Sequence, residues 1–312
     1  MWFKQAQLYQ LSNISQYSLA KLTEKLEAFV FNGCLPSAAQ SMGWVSPYDE
    51  TDEGKLIRSL NDYLLFCLQI EEKILPATVI RQELGEAIKQ IENSQDRKLR
   101  AKEKYALKED VITSLLPRAF SKLTKVYAYI DIKNKWLVLG TSNAKRIEQF
   151  IAMFKKSISE DIESFEIKKL APQMTSWVKH QNHTNSFAIQ KNAVLQDAQQ
   201  EARVIRCKQQ NLSAQAIQSL INDGCDVIQL ALTWQDRVHF TLANEFYLTN
   251  IQFADEVLDQ VKDMQPESKT QQFDADFIIM SEIFAGLFKD LLDMLLKNRS
   301  SAMVIPLTKA SA

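Results

Sequence analysis

Nine apolar residues near the C-terminal end, Phe277, Met280, Ile283, Phe284, Leu287, Phe288, Leu291, Leu292 and Leu295, recur at three- and four-residue spacing. On a helix they form a stripe broader than the face a single surface helix buries. Such a helix is either central core or a dimerisation surface, and core is favoured. The layer it packs against is supplied by short apolar runs that read as strands. These are Trp2 to Leu11, Tyr63 to Ile70, Val126 to Asp131, Lys135 to Leu139, Phe187 to Ile189, Arg203 to Lys208, Val227 to Trp234, Arg237 to Leu242 and Phe246 to Phe253. The polar connection Asp131 to Lys135 makes its two flanking runs a hairpin. Helices are expected at Tyr17 to Phe31, ending at Asn32-Gly33, from Pro76 through Val79, Ile80, Leu84, Ile88 and Ile91, at Asn143 to Ile158, and at Ser213 to Asn222 with Ser213 as N-cap. The fold class is α+β.

Several chemistries lack their residues. Seven glycines in 312 residues form neither GxGxxG nor GxxxxGK[ST], so no loop lets backbone N–H groups cradle a nucleotide phosphate. There is no GxSxG elbow. Cys34, Cys67, Cys207 and Cys225 are scattered and read as free thiols in a reducing compartment. His180 and His183 fall in the polar stretch Lys179 to Ser186, read as a loop rather than a metal site. No cofactor and no metal is expected. No apolar run reaches the roughly 18 residues of a membrane span, and Met1 to Gln5 lacks the opening of a signal peptide. A cytoplasmic protein is expected.

Charge is segregated. From Arg97 to Lys125 nine Lys/Arg face three Asp/Glu, a local +6 in a chain whose total is −1. The remainder therefore carries −7, and a field of this kind suits a polyanion. Arg97, Lys98, Arg100, Lys102, Lys104 and Lys108 form a solvated basic segment, after which Leu107, Val111, Ile112, Leu115 and Leu116 mark a helix that Pro117 ends. This section reads as a helical projection inserted into an α/β region. A composition shift at Ala171-Pro172 marks the next boundary. The expected division is 1–75 with 121–170 as a central region, 76–120 as a tip, and 171–312 as a base carrying the long C-terminal helix.

Six segments, in order along nearly the whole chain, carry a resemblance: Met42-Gly43-Trp44-Val45, Glu71 to Pro76, Leu115 to Ser121, Val204-Ile205-Arg206, Leu230 to Leu232 with Trp234-Gln235, and Phe273 to Ile278. Together they resemble the bacterial RdgC family of recombination-associated proteins. The resemblance implies a non-enzymatic DNA-binding homodimer, in which two horseshoe-shaped subunits with central, tip and base regions close into a ring around double-stranded DNA. It implies little sequence preference, weaker binding of single-stranded DNA, restraint of RecA-type recombinases, and a nucleoid location. The family's gate phenylalanine falls on Phe120, beside Leu116 and Pro117. A family finger falls on Lys208, Gln209 and Gln210, where Gln209 replaces one of two consecutive lysines. Arg97, Lys98, Arg100, Arg118 and Lys122 are the further DNA-binding candidates.

Two other classes compete. A metal-dependent nuclease would use Asp274, Asp276 and Glu282, although Asp274 and Asp276 are two apart and do not share a helix face. A protein scaffold would bind a recombinase directly.

Overall fold

A computed structural model describes residues 1–16, 18–48, 54–167, 170–181, 186–200, 202–297 and 302–306. In chain order the elements are β1 (Ala6–Leu11), α1 (Leu19–Glu27), β2 (Gln40–Val45), β3 (Ile57–Leu60), β4 (Tyr63–Lys73), α2 (Ala77–Gln95), α3 (Ala101–Leu115), β5 (Ser121–Asp131), β6 (Trp136–Leu139), α4 (Ala144–Ile158), β7 (Ile162–Ile167) and α5 (Leu170–His180). They continue with β8 (Phe187–Asp197), β9 (Val204–Cys207), α6 (Gln215–Asn222), β10 (Cys225–Trp234), β11 (Val238–Ala243), β12 (Tyr247–Phe253), α7 (Asp255–Asp263), α8 (Lys269–Lys297) and β13 (Ala302–Pro306). The mixed α+β class is as the sequence indicates.

The strands join in one sheet with the order β2-β4-β5-β6-β1-β12-β11-β10-β8-β9, with β3 on β4, and β7 between β1 and β13. Neighbouring strands pair antiparallel. β1 is the seam. One edge pairs with β6 from Gln7 to Gln10, while the other pairs with β12 at Ala6 and Gln7 and with β7 from Tyr9 to Leu11.

Strand alternation sorts side chains onto two faces. Leu8, Tyr63, Leu65, Tyr129, Trp136 and Val138 point to the side covered by α8 and α5. Tyr9, Leu64, Phe66, Val126, Ala128 and Leu137 point to the side covered by α1 and α4. The C-terminal stripe is core. Phe277, Phe284, Leu287 and Leu291 are fully buried, and Phe284 packs against Phe3, Phe253 and Phe288. α8 therefore touches strands from both halves of the sheet.

Several expectations shift at element ends. The first helix starts at Leu19, where Ser18 accepts the Lys21 N–H, and stops at Glu27 instead of running to Phe31. Its tail turns back because Phe29 and Phe31 hydrogen-bond with Trp44 on β2. The N-cap of α6 is Ala214, one residue later than expected, because Ser213 turns its hydroxyl to Asn211. Ala171 and Pro172 lie in the first turn of α5, where a missing proline N–H costs nothing. His180 ends that helix instead of lying in a loop, and His183 is outside the described residues. Cys67, Cys207 and Cys225 are buried, and Cys34 is half-buried.

Gly43 explains one of the six segments. A Cβ built there would stand 2.5 Å from the Phe31 backbone, so only glycine lets β2 approach Val30-Phe31. The neighbouring Trp44 is fully buried, donates Nε1–H to Ser157 Oγ at 2.8 Å, and meets Phe66 and Phe150 edge-on. Gly→Ala in a strand ordinarily helps, because alanine loses less backbone entropy. Here Gly43→Ala is expected to destabilise by about 1–3 kcal/mol through backbone overlap. Urea unfolding measures this, and an unchanged or raised midpoint would contradict the packing described.

Candidate nucleic-acid interface

Two surfaces carry the sequence-derived site residues. The first is built at the far end of β4 and β5, which pair without interruption from Tyr63–Asp131 to Lys73–Ser121. α2 and α3 form a hairpin between them, and the Ile74 N–H donates to the Phe120 carbonyl at 2.7 Å across its neck. α2 buries no residue, so this hairpin is held mainly by its own contacts.

The basic segment is solvated as expected, and its second half is helical, which places the start of the helix earlier than Leu107. α3 begins at Ala101, placing Lys102, Lys104 and Lys108 on it. The turn before it is closed by acids. Glu92 accepts the Leu99 N–H and the Lys98 ammonium, each at 2.9 Å, and these contacts lower its pKa. Glu103 takes both nitrogens of the Arg97 fork, at 2.6 and 3.0 Å, and the Arg100 N–H at 2.7 Å, which together hold its carboxyl at about 2. Arg97 and Lys98 are thus partly neutralised, whereas Arg100 and Arg118 make no ion pair among the described residues.

Leu116, Pro117 and Arg118 form a short 3-10 turn. Leu116 is buried beneath it, while Pro117 and Arg118 are exposed. Phe120 is 86% exposed, beside Ile74 at 50% and with Leu123 at 58% farther along β5. A phenylalanine so bare on one chain is uncommon, because its ring carries a large apolar area.

The second surface is the outer face of β8 to β12, opposite α8. Here strands alternate Leu, Val and Phe inward with amides and hydroxyls outward. The outward residues Gln190, Gln229, Thr241, Asn250 and Gln252 line a groove of about 700 Å³. Its charged lining residues are Lys191, Arg206 and Lys208, with no carboxylate among them. The finger borders this groove. Gln210 N–H donates to the Lys191 carbonyl at 2.9 Å and Gln209 N–H to Asn192 Oδ1 at 2.8 Å, so the turn is fastened to β8. Gln209 sits in the left-handed region at φ 53°, and Lys208, Gln209 and Gln210 are exposed.

The finger and Arg206 therefore meet at one groove, while Arg97, Lys98, Arg100 and Arg118 belong to the hairpin and its neck. Lys122 is on β5 opposite Glu72. Sequence reasoning missed the groove floor. Its signal was present as polar residues at alternate positions of three consecutive strands, the mark of a sheet face with no helix over it.

Two of the three acids of the nuclease alternative, Asp274 and Asp276, are occupied structurally, while Glu282 is exposed on α8. Asp274 accepts from Arg58 Nη2 at 2.6 Å and from the Tyr48 hydroxyl, and Asp276 pairs with the Met1 ammonium. Among the described residues no three His, Cys, Asp or Glu cluster as metal ligands, and no helix is long and apolar enough to cross a membrane.

Comparison with known proteins is consistent along the chain. A family model described as "Putative exonuclease, RdgC" matches residues 1–298. The chain is similar to the recombination-associated protein RdgC of Yersinia pestis (strain Pestoides F), with 36% identity over 301 residues, covering 95% of this chain and 98% of that protein. The corresponding protein of Yersinia enterocolitica serotype O:8 shares 36% identity over the same length and coverage.

At the base of the hairpin, Glu72 on β4 accepts from Lys145 Nζ and Arg146 Nη2 of α4, both at 2.5 Å. Arg146, and then Lys145, lowers its carboxyl from 4.5 to about 2. A folded-state pKa below the unfolded one gives stability that is present above the unfolded value and lost as pH falls through the folded one. Wild-type stability is expected to fall between pH 5 and 2 by about 1–2 kcal/mol more than that of Glu72→Gln, after allowance for solvent screening. Urea midpoints across that range measure the difference, and equal acid limbs would contradict it.

Proposed function

Since this chain belongs to the RdgC family, we propose that it is a non-enzymatic protein that binds double-stranded DNA with little sequence preference, encircling it as a homodimeric ring and restraining a RecA-type recombinase. The observation that carries this reading is the groove beside the finger, lined by three cations and neutral donors without a carboxylate. Phosphate contacts position a protein on DNA without reading sequence. Amide side chains and Lys or Arg in such a groove offer those contacts, and each cation that neutralises a phosphate releases condensed counterion.

The proposed architecture follows the central, tip and base division at 1–75 with 121–170, 76–120 and 171–312. The subunit is a horseshoe whose tip meets its partner's through Phe120, with Pro117 beside it and Leu116 bracing the turn from below. Burying one large apolar side chain contributes roughly 1.5–3 kcal/mol. A contact of that size makes a gate that holds yet opens. Occupied DNA is closed to a recombinase filament, so restraint needs no contact with the recombinase itself. The protein works in the cytoplasm on the nucleoid, and single-stranded DNA, which has lower charge density, binds more weakly. Against the word exonuclease in the family description, Asp274 and Asp276 are committed to Arg58, Tyr48 and Met1.

Binding to duplexes of unrelated sequence across a salt series tests the reading. Expected are a steep slope of log affinity against log salt, equal for all sequences, and a slope shallower by about 0.9 in Lys208→Ala, with duplex recovered intact after incubation with magnesium. Absent or salt-insensitive binding, or magnesium-dependent cleavage, would overturn it. Phe120→Ser is expected to weaken dimerisation about tenfold or more while leaving the monomer's circular dichroism unchanged. Sedimentation measures the first effect, and unfolding of this variant would place Phe120 in a core instead.

A further inference from the structure

The floor of the groove holds one ionisable side chain that neither the basic hairpin nor the finger accounts for. His239 on β11 is exposed, and lies between Thr233 on β10 and Gln252 on β12 in the strand register. Its Nδ1 stands 2.7 Å from Thr233 Oγ1. Thr233 is buried, with 1% of its surface exposed, and its Oγ1 accepts a second contact from Gln190 Nε2 at 2.6 Å. A hydroxyl has one hydrogen and two lone pairs. With Gln190 donating to one lone pair of the oxygen, the hydroxyl hydrogen is free to go to His239 Nδ1. In that arrangement the neutral ring carries its own hydrogen on Nε2.

The surroundings of the ring set what it can do. Its neighbours across the face are the amides of Gln190 and Gln252 and the hydroxyl of Thr241, and the charged residues lining the groove are Lys191, Arg206 and Lys208. Asp236 and Arg237 sit at the turn joining β10 to β11. With no carboxylate among the lining residues, the ring has no anion of the groove's own to pair with. An added phosphate would supply one.

We propose that His239 is a phosphate contact on the open sheet face, held by the Gln190–Thr233 relay with Nε2–H facing the groove, and that binding duplex DNA draws a proton onto its ring. This deepens the DNA-binding reading and rests on it. Nε2–H donates to a phosphate oxygen in either protonation state. On protonation Nδ1 gains the hydrogen and donates to Thr233 Oγ1, whose own hydrogen turns away. The ring becomes a full cation only when DNA supplies the opposing charge. Gln190 and Thr233 are positioning residues, because they act through the ring.

The test is duplex affinity against salt at pH 6 and pH 8, with nitrogen-15 spectra of the free protein. The log–log slope of wild type is expected to be steeper by up to about 0.9 at pH 6 than at pH 8, the contribution of one extra cation. His239→Gln keeps a donor without the charge, and its slope is expected to be the same at both pH values. The spectra of neutral His239 are expected to show hydrogen on Nε2, and Thr233→Val, which removes the relay with little change of shape, is expected to mix the tautomers. Equal pH dependence in wild type and His239→Gln, or a free-protein tautomer with hydrogen on Nδ1, would overturn this inference alone. Failure of wild type to bind duplex at either pH would overturn the DNA-binding reading, and this inference with it.

Discussion

The arrangement depends on β1 having two different partners along a single edge. Its first residues pair with β12 and its last with β7, while β6 occupies the opposite edge. A strand buried on both faces and paired on both edges joins β2–β6 to β8–β12 without a linker. α8 then lies against strands of both halves, and Phe284 contacts Phe3 just before β1 and Phe253 at the end of β12. Burial on that scale makes the sheet a fixed frame. The hairpin of α2 and α3, which buries little, and the bare outer face of β8 to β12 are what the frame carries.

That frame leaves an asymmetry with functional meaning. The β4–β6 half has helices on both faces, α8 on one and α1 with α4 on the other. The β8–β12 half has its helices on one face only, and the other carries a polar groove, lined without a carboxylate and bordered by the finger. A protein with a net charge of −1 keeps carboxylates out of this groove's lining, while the hairpin's Glu92 and Glu103 close a turn. The cations that stand out in the sequence are therefore partly structural, and the surface best suited to phosphates is quieter in the sequence.

Much of the frame was legible because it is apolar and periodic. The β5–β6 hairpin, α4 and the buried stripe of α8 follow from spacing alone. β2 was hidden because Gly43, which its close approach to Phe31 requires, breaks the alternation that marks a strand. The start of α3 was hidden for the opposite reason: Lys102, Lys104 and Lys108 give it a charged, solvated surface with Val111 its only buried residue. α5 was hidden because Pro172, which suits the first turn of a helix, reads as an interruption. The finger and Phe120 were found through the family resemblance, and periodicity would have assigned Phe120 to a core. Gln190, His239 and Gln252 were missed because they are single polar residues on three separate strands, brought together by register.

Topological closure is the central claim, and dissociation kinetics on closed circular against linear duplex of the same sequence test it most directly. At a salt concentration that breaks phosphate contacts, the account predicts rapid loss from linear DNA by sliding off its ends and slow loss from circles, where the Phe120 contact must open. Equal rates from both forms would contradict a ring and leave an open, purely electrostatic DNA-binding surface.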